Sequence, residues 1–122
     1  MNIDDFIKII PDDEHDLLKS WGGMIDNWKV CDDDVDRLGY LIVKWHGTVW
    51  FKREYESNKF NKMIERFNAE CIDGIGGMTM NERLYAFGLF EIFDTRKDKA
   101  MIYKKLKAAQ QGDAPEPASP AR

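Results

Sequence analysis

The residues able to do chemistry in this chain are few and scattered. Glu14-His15-Asp16 sets three metal-ligating types side by side. Adjacent positions on a helix diverge by roughly 100° each, so they do not converge on one ion. His46 stands alone beside Gly47. Asp32-Asp33-Asp34-Val35-Asp36 has the carboxylates of a calcium loop but neither its turn glycine nor its closing glutamate at the required offsets. Cys31 and Cys71 form no CxxC pair and are too few for a disulfide framework, so they read as reduced, half-buried thiols. Neither histidine lies in a nucleophile signature. Asp73-Gly74-Ile75-Gly76-Gly77 superficially resembles a phosphate loop, yet it follows a helical stretch and lacks the Walker lysine and the dinucleotide spacing. It reads as a helix–helix turn. Asn81, Glu82 and Arg83 group polar side chains at a helix start. No catalytic residue, metal or cofactor is expected, although an enzyme using Glu82, Arg83 and His46 stays open if the fold brings them into one pocket.

The elements that position these residues follow from apolar spacing. Asn2 is expected to cap a short helix carrying Ile3, Phe6, Ile9 and Ile10, ended by Pro11. Asp12 or Asp13 opens a second, with Leu17, Leu18 and Trp21 on one face. Gly22-Gly23 weakens or breaks it before Met24, Ile25 and Trp28 resume the face. The region from Cys31 to Glu56 supports two readings. As a helix, the aspartates cap it, and Val35, Leu38, Ile42, Trp45 and Val49 repeat at spacings of three and four. As a hairpin over 40–52, two β-rich runs flank His46-Gly47. The helix is favoured, with a break near Gly47. Ser57 is expected to cap the next helix, striped by Phe60, Met63, Ile64, Phe67 and Cys71. Thr79 and Glu82 form a capping box that opens a central helix running to about Phe93, with Leu84, Phe87 and Phe90 buried. Thr95 with Asp98 caps a last helix bearing Met101, Ile102 and Leu106 and a basic outer face of Lys99, Lys104, Lys105 and Lys107. From Gln110 the composition turns to Gln, Gly, Ala, Pro and Ser, predicting a disordered tail over 110–122.

Composition limits the class. The chain's 122 residues, 43% hydrophobic and 12% aromatic, suit one folded domain over 1–109. No apolar run reaches bilayer length, and residues 1–5 lack a signal-peptide pattern, so a cytoplasmic protein without membrane contact is expected. The net charge of −4 hides an asymmetry. Residues 1–37 hold eleven acidic and four basic side chains, a net −7, while residues 38–122 hold eleven acidic and fourteen basic, a net +3. Such an acidic pole attracts basic partners and repels phosphate backbones, which argues against nucleic acid. Short Asp clusters at helix starts also serve as ordinary caps.

Gly77-Met78-Thr79-Met80-Asn81-Glu82-Arg83-Leu84, then Gly88-Leu89, then Phe93-Asp94, resembles a pattern near the C-terminus of small bacterial helical proteins without an assigned activity. That resemblance implies a bacterial cytosolic helical protein and transfers no catalytic residue.

The expected architecture is all-α, a small bundle of four to six helices with a disordered C-terminal tail; the alternative is α+β with a hairpin at 40–52. The expected function is a non-enzymatic binding protein, an inhibitor or immunity-type protein that blocks a basic protein partner such as a nuclease toxin. Its contact residues are expected to be Asp12, Asp13, Asp32, Asp33, Asp34 and Asp36, clustered on one side and anchored by an exposed Trp21 or Trp28. A small enzyme or enzyme subunit, and a structural factor that self-associates into a homo-oligomer through a Trp patch, are the other readings.

Overall fold

The computed structural model describes residues 1–109, so the tail expected over 110–122 lies outside the described residues. The fold is all-α, and no strand occurs among the described residues. A 3-10 helix, Ile3–Lys8, is followed by α1 (His15–Val30), α2 (Val35–Thr48) and α3 (Glu54–Phe67). A π-helical turn (Asn68–Ile72) extends α3. After a short 3-10 turn (Ile75–Gly77) come α4 (Met80–Ala86), α5 (Phe90–Thr95) and α6 (Ala100–Lys105).

Asn2 caps the first element, its side chain accepting the Asp4 N–H. In α1, Leu17, Trp21, Ile25 and Trp28 are buried at helical spacing, and this stripe carries the helix through Gly22-Gly23 without a break. Neither Asp12 nor Asp13 caps it. The helix starts at His15, and Glu14 at the N-cap makes no side-chain cap. Tertiary contacts recruit these carboxylates instead: Glu14 Oε2 accepts the Lys52 N–H, and Asp13 binds Arg53.

The region 40–52 holds no hairpin. Asp34 caps α2 by accepting the Arg37 N–H at 3.1 Å, and Val35, Leu38, Ile42 and Trp45 are buried. The helix includes Gly39 and runs through Gly47 to Thr48. Gly39 lets α2 sit close to the π turn, since a Cβ there would lie 3.2 Å from Ile72 Cδ1. Ser57 does not cap α3. The helix begins one turn earlier at Glu54, and the Ser57 N–H bonds back to the Arg53 carbonyl. Phe60, Ile64 and Phe67 form its buried stripe, and the π turn carries that stripe on to Cys71 and Ile72.

The capping box forms. Thr79 Oγ1 accepts the Glu82 N–H at 3.1 Å, and Glu82 Oε1 accepts the Thr79 N–H at 2.7 Å. Truncating Thr79 to Ala is therefore expected to cost about 0.5–2 kcal/mol in a denaturant melt. The expected single helix to Phe93 is interrupted, however. Gly88 takes φ 65°, the Gly88 N–H bonds to the Tyr85 carbonyl, and the Leu89 N–H reaches back to the Leu84 carbonyl at 2.9 Å. This is a Schellman termination. A Cβ at Gly88 would strike the Asp4 carboxylate and crowd the Lys29 ammonium, which pair with each other. The turn re-aims the chain, so Leu84, Phe87 and Leu89 are buried while Phe90 is exposed, contrary to expectation. Thr95 does not cap α6 either. Its hydroxyl donates to the Glu91 and Ile92 carbonyls at the end of α5, and Asp98 accepts the Ala100 N–H.

The core is an aromatic cluster. Phe6 lies 5.2 Å from Trp21 and 5.3 Å from Phe60 between ring centres, Trp21 meets Trp45 at 5.2 Å, and Phe67 meets Phe87 at 5.4 Å. Edge and tilted contacts at these separations suit the ring quadrupoles. No helix among the described residues is long and apolar enough to cross a membrane.

Candidate protein-interaction surface

The structure separates the six aspartates expected to form one face. α1 and α2 are joined by a short loop, and Trp21 packs on Trp45 between them. Asp12 and Asp13 lie where α1 begins, and Asp32, Asp33, Asp34 and Asp36 lie where α1 ends and α2 begins. The α1 helix between them is sixteen residues long, about 24 Å at 1.5 Å per residue.

Much of the acidic pole is also engaged inside the molecule. Asp13 receives both Arg53 terminal nitrogens, at 3.0 and 2.7 Å. That fork-shaped pair holds the Asp13 carboxyl below its usual value, and it raises the Arg53 guanidinium. Asp34 is a helix cap. Asp36 pairs with Lys107 and raises it. Asp4 pairs with Lys29 at 2.8 Å. The Asp13–Arg53 and Asp36–Lys107 pairs cross between the −7 and +3 segments, which thus partly neutralise one another across the fold.

Trp21 and Trp28 are not exposed anchors. They keep 1% and 0% of their accessible surface. Their positions belong to the buried stripe of α1, and the Trp28 indole N–H donates to the Asp34 carbonyl at 2.8 Å. The exposed aromatic is Trp50, at 89%, followed by Tyr55 at 68%. Trp50 sits in the loop between α2 and α3, one residue after the α2 C-cap Val49. Its indole borders a groove of about 520 Å³ lined by His46, Val49, Phe51, Ser57 and Asn58. The His46 ring stacks parallel to Phe60 with centres 6.1 Å apart, and its Nε2 is buried with no hydrogen-bond partner among the described residues.

The loop carrying Trp50 is fastened to the loop before α1. The Lys52 ammonium donates to the Asp13 carbonyl at 2.7 Å, alongside the Glu14 and Arg53 contacts. Exposed Asp12 and Asp13 therefore stand beside the Trp50 loop. Tyr40 and Val43 of α2 are also exposed, but they border a separate groove with Gly39, Asn68 and Ile72. Residue type alone did not separate Trp50 from the buried tryptophans. The available signal was that it falls off the three-and-four spacing of α2.

Glu82, Arg83 and His46 do not share a pocket. Glu82 lines a different groove, of about 440 Å³, with Asn81 and Tyr85, whereas His46 lines the Trp50 groove. Arg83 is buried, donating to the Met78 carbonyl at 3.1 Å and the Leu106 carbonyl at 3.0 Å, and burial lowers its pKa. Arg83 thus ties α4 to the end of α6. Among the described residues no three His, Cys, Asp or Glu side chains are grouped to hold a metal. No protein-family model, curated protein or solved structure matches this chain.

Proposed function

We propose that this chain is a non-enzymatic binding protein that recognises another protein through the surface around Trp50, with Asp12 and Asp13 at its edge. The observation carrying this reading is the indole of Trp50, almost wholly in solvent beside a groove, with Tyr55 on the following helix. A tryptophan left out of an aromatic core this extensive contributes little to the fold, and interface hot spots are enriched in Trp and Tyr. At the rim Asp13 is paired with Arg53, so the Asp12 carboxylate is the charge that favours a basic partner, acting mainly on association rate. An inhibitor or immunity-type protein against a basic toxin such as a nuclease fits that combination.

The test is capture of partners from the source cells, followed by binding measurements on the partner identified. Trp50→Ala is expected to weaken binding at least thirtyfold, the effect of a hot-spot residue worth about 2 kcal/mol or more. Asp12→Asn is expected to slow association and flatten its salt dependence. An unchanged affinity for Trp50→Ala would overturn the reading. Sedimentation of the chain alone distinguishes a self-associating protein, in which Trp50→Ala would dissolve a homo-oligomer.

A further inference from the structure

Lys105, expected on a basic outer face, is completely buried at the end of α6. Its ammonium donates to the Cys31 carbonyl at 2.7 Å and to the Asp33 carbonyl at 2.6 Å. The same nitrogen lies 4.0 Å from Cys31 Sγ and 4.1 Å from the centre of the Trp28 ring. Cys31 is a free thiol, half-buried, and the α1–α2 loop holds it against this amine. An amine and a thiol are thus fixed in contact at a residue that keeps part of its surface in solvent.

We propose that Cys31 and Lys105 are the two ends of a peroxide-dependent sulfenamide cross-link that joins the α1–α2 loop to α6. In the first step the Cys31 sulfur attacks one oxygen of hydrogen peroxide. An S–O bond forms, the O–O bond breaks, sulfur is oxidised to sulfenic acid, and the other oxygen leaves as hydroxide, which takes up the thiol proton to become water. In the second step the Lys105 ammonium releases a proton to solvent and its lone pair attacks sulfur. An S–N bond forms, the S–O bond breaks, and hydroxide departs with a second nitrogen proton as water. No electrons are exchanged with an external agent in this step. Sulfenic acids condense in the same way with backbone nitrogen.

Two features favour the second step here. Burial disfavours the charged ammonium, although the neighbouring Cys31 and Asp33 oppose that shift. The two carbonyls also hold the nitrogen on the sulfur, so that rotation of the small Cys31 side chain is the main movement required. Cys71 is an internal control. It is buried, and desolvation raises its thiol pKa, which suppresses the reactive thiolate.

The native protein is treated with hydrogen peroxide, alkylated, digested and examined by mass spectrometry. The expected product is one linked peptide pair joining Cys31 to Lys105, lighter than the two separate peptides by two hydrogens, and released by dithiothreitol. Cys31→Ser is expected to abolish it. Oxidation of Cys31 to sulfinic or sulfonic acid without the link would overturn the proposal. So would a Cys31–Cys31 disulfide between two copies, or Cys71 reacting as fast as Cys31.

Discussion

Phe87→Ala is expected to lower the unfolding free energy by about 3–5 kcal/mol, the range for deleting a buried aromatic ring. Phe87 has no accessible surface, and it closes α4 just before the Gly88 turn. Its ring lies 5.7 Å from Trp28 on α1 and 5.4 Å from Phe67 on α3, so it joins three parts of the fold. Both neighbours are held by other contacts: Trp28 by its indole hydrogen bond and Phe67 by Phe6 at 5.6 Å. The cavity therefore has little scope to collapse, which places the effect in the upper part of the range. Small domains hold only about 5–15 kcal/mol in total, so the variant is expected to melt far earlier in denaturant. Phe90→Ala is the control. Its side chain is exposed, and the expected change is within about 0.5 kcal/mol. A loss below about 1 kcal/mol for Phe87→Ala would show that the ring is not a keystone of the core.

Lys105→Met is expected to destabilise by about 2–4 kcal/mol. Methionine keeps most of the side-chain volume but leaves the Cys31 and Asp33 carbonyls without their buried donor, at about 1–3 kcal/mol for each unsatisfied group. The variant also loses the cation over Trp28, worth about 0.5–2 kcal/mol. Relief from burying a charge offsets part of the sum. Lys104→Met, one residue earlier and exposed, is expected to fall within about 0.5 kcal/mol. Urea titrations of the two variants side by side measure the contrast, and equal midpoints would refute the role given to Lys105.

Local signals carried the helices well. Thr79 and Glu82 cap one another within four residues, Asp34 caps α2, and Asn2 caps the first turn, because each of these contacts closes inside one helical turn and depends on little else. The stripes of α1, α2 and α3 were legible for a related reason: burying an apolar face at helical period outweighs one or two glycines, as at Gly22-Gly23 and Gly39. Two of the departures fall where a distant segment competes for the same group, whereas Ser57 and Thr95 are taken by carbonyls three or four residues before them. Asp13 and Glu14 leave the start of α1 for Arg53 and Lys52, some forty residues away. Gly88 ends α4 inside an unbroken apolar run, because an L residue is strained at φ 65° and a Cβ would meet the Asp4–Lys29 pair.

The same division runs through the candidate surface. From residue order alone come the helical class, the caps, the apolar stripes and an acidic first third, all of which rest on spacing and composition. Which tryptophan faces water, and which lysine does not, rested on packing between segments far apart in the chain. Trp21 and Trp28 fill the core because α3 and the Phe87 turn close over them, Trp50 is left outside by the end of α2, and Lys105 is drawn inward by carbonyls that the α1–α2 loop cannot satisfy itself. Burial and charge pairing are properties of contacts across the fold, and such contacts leave no period in the sequence.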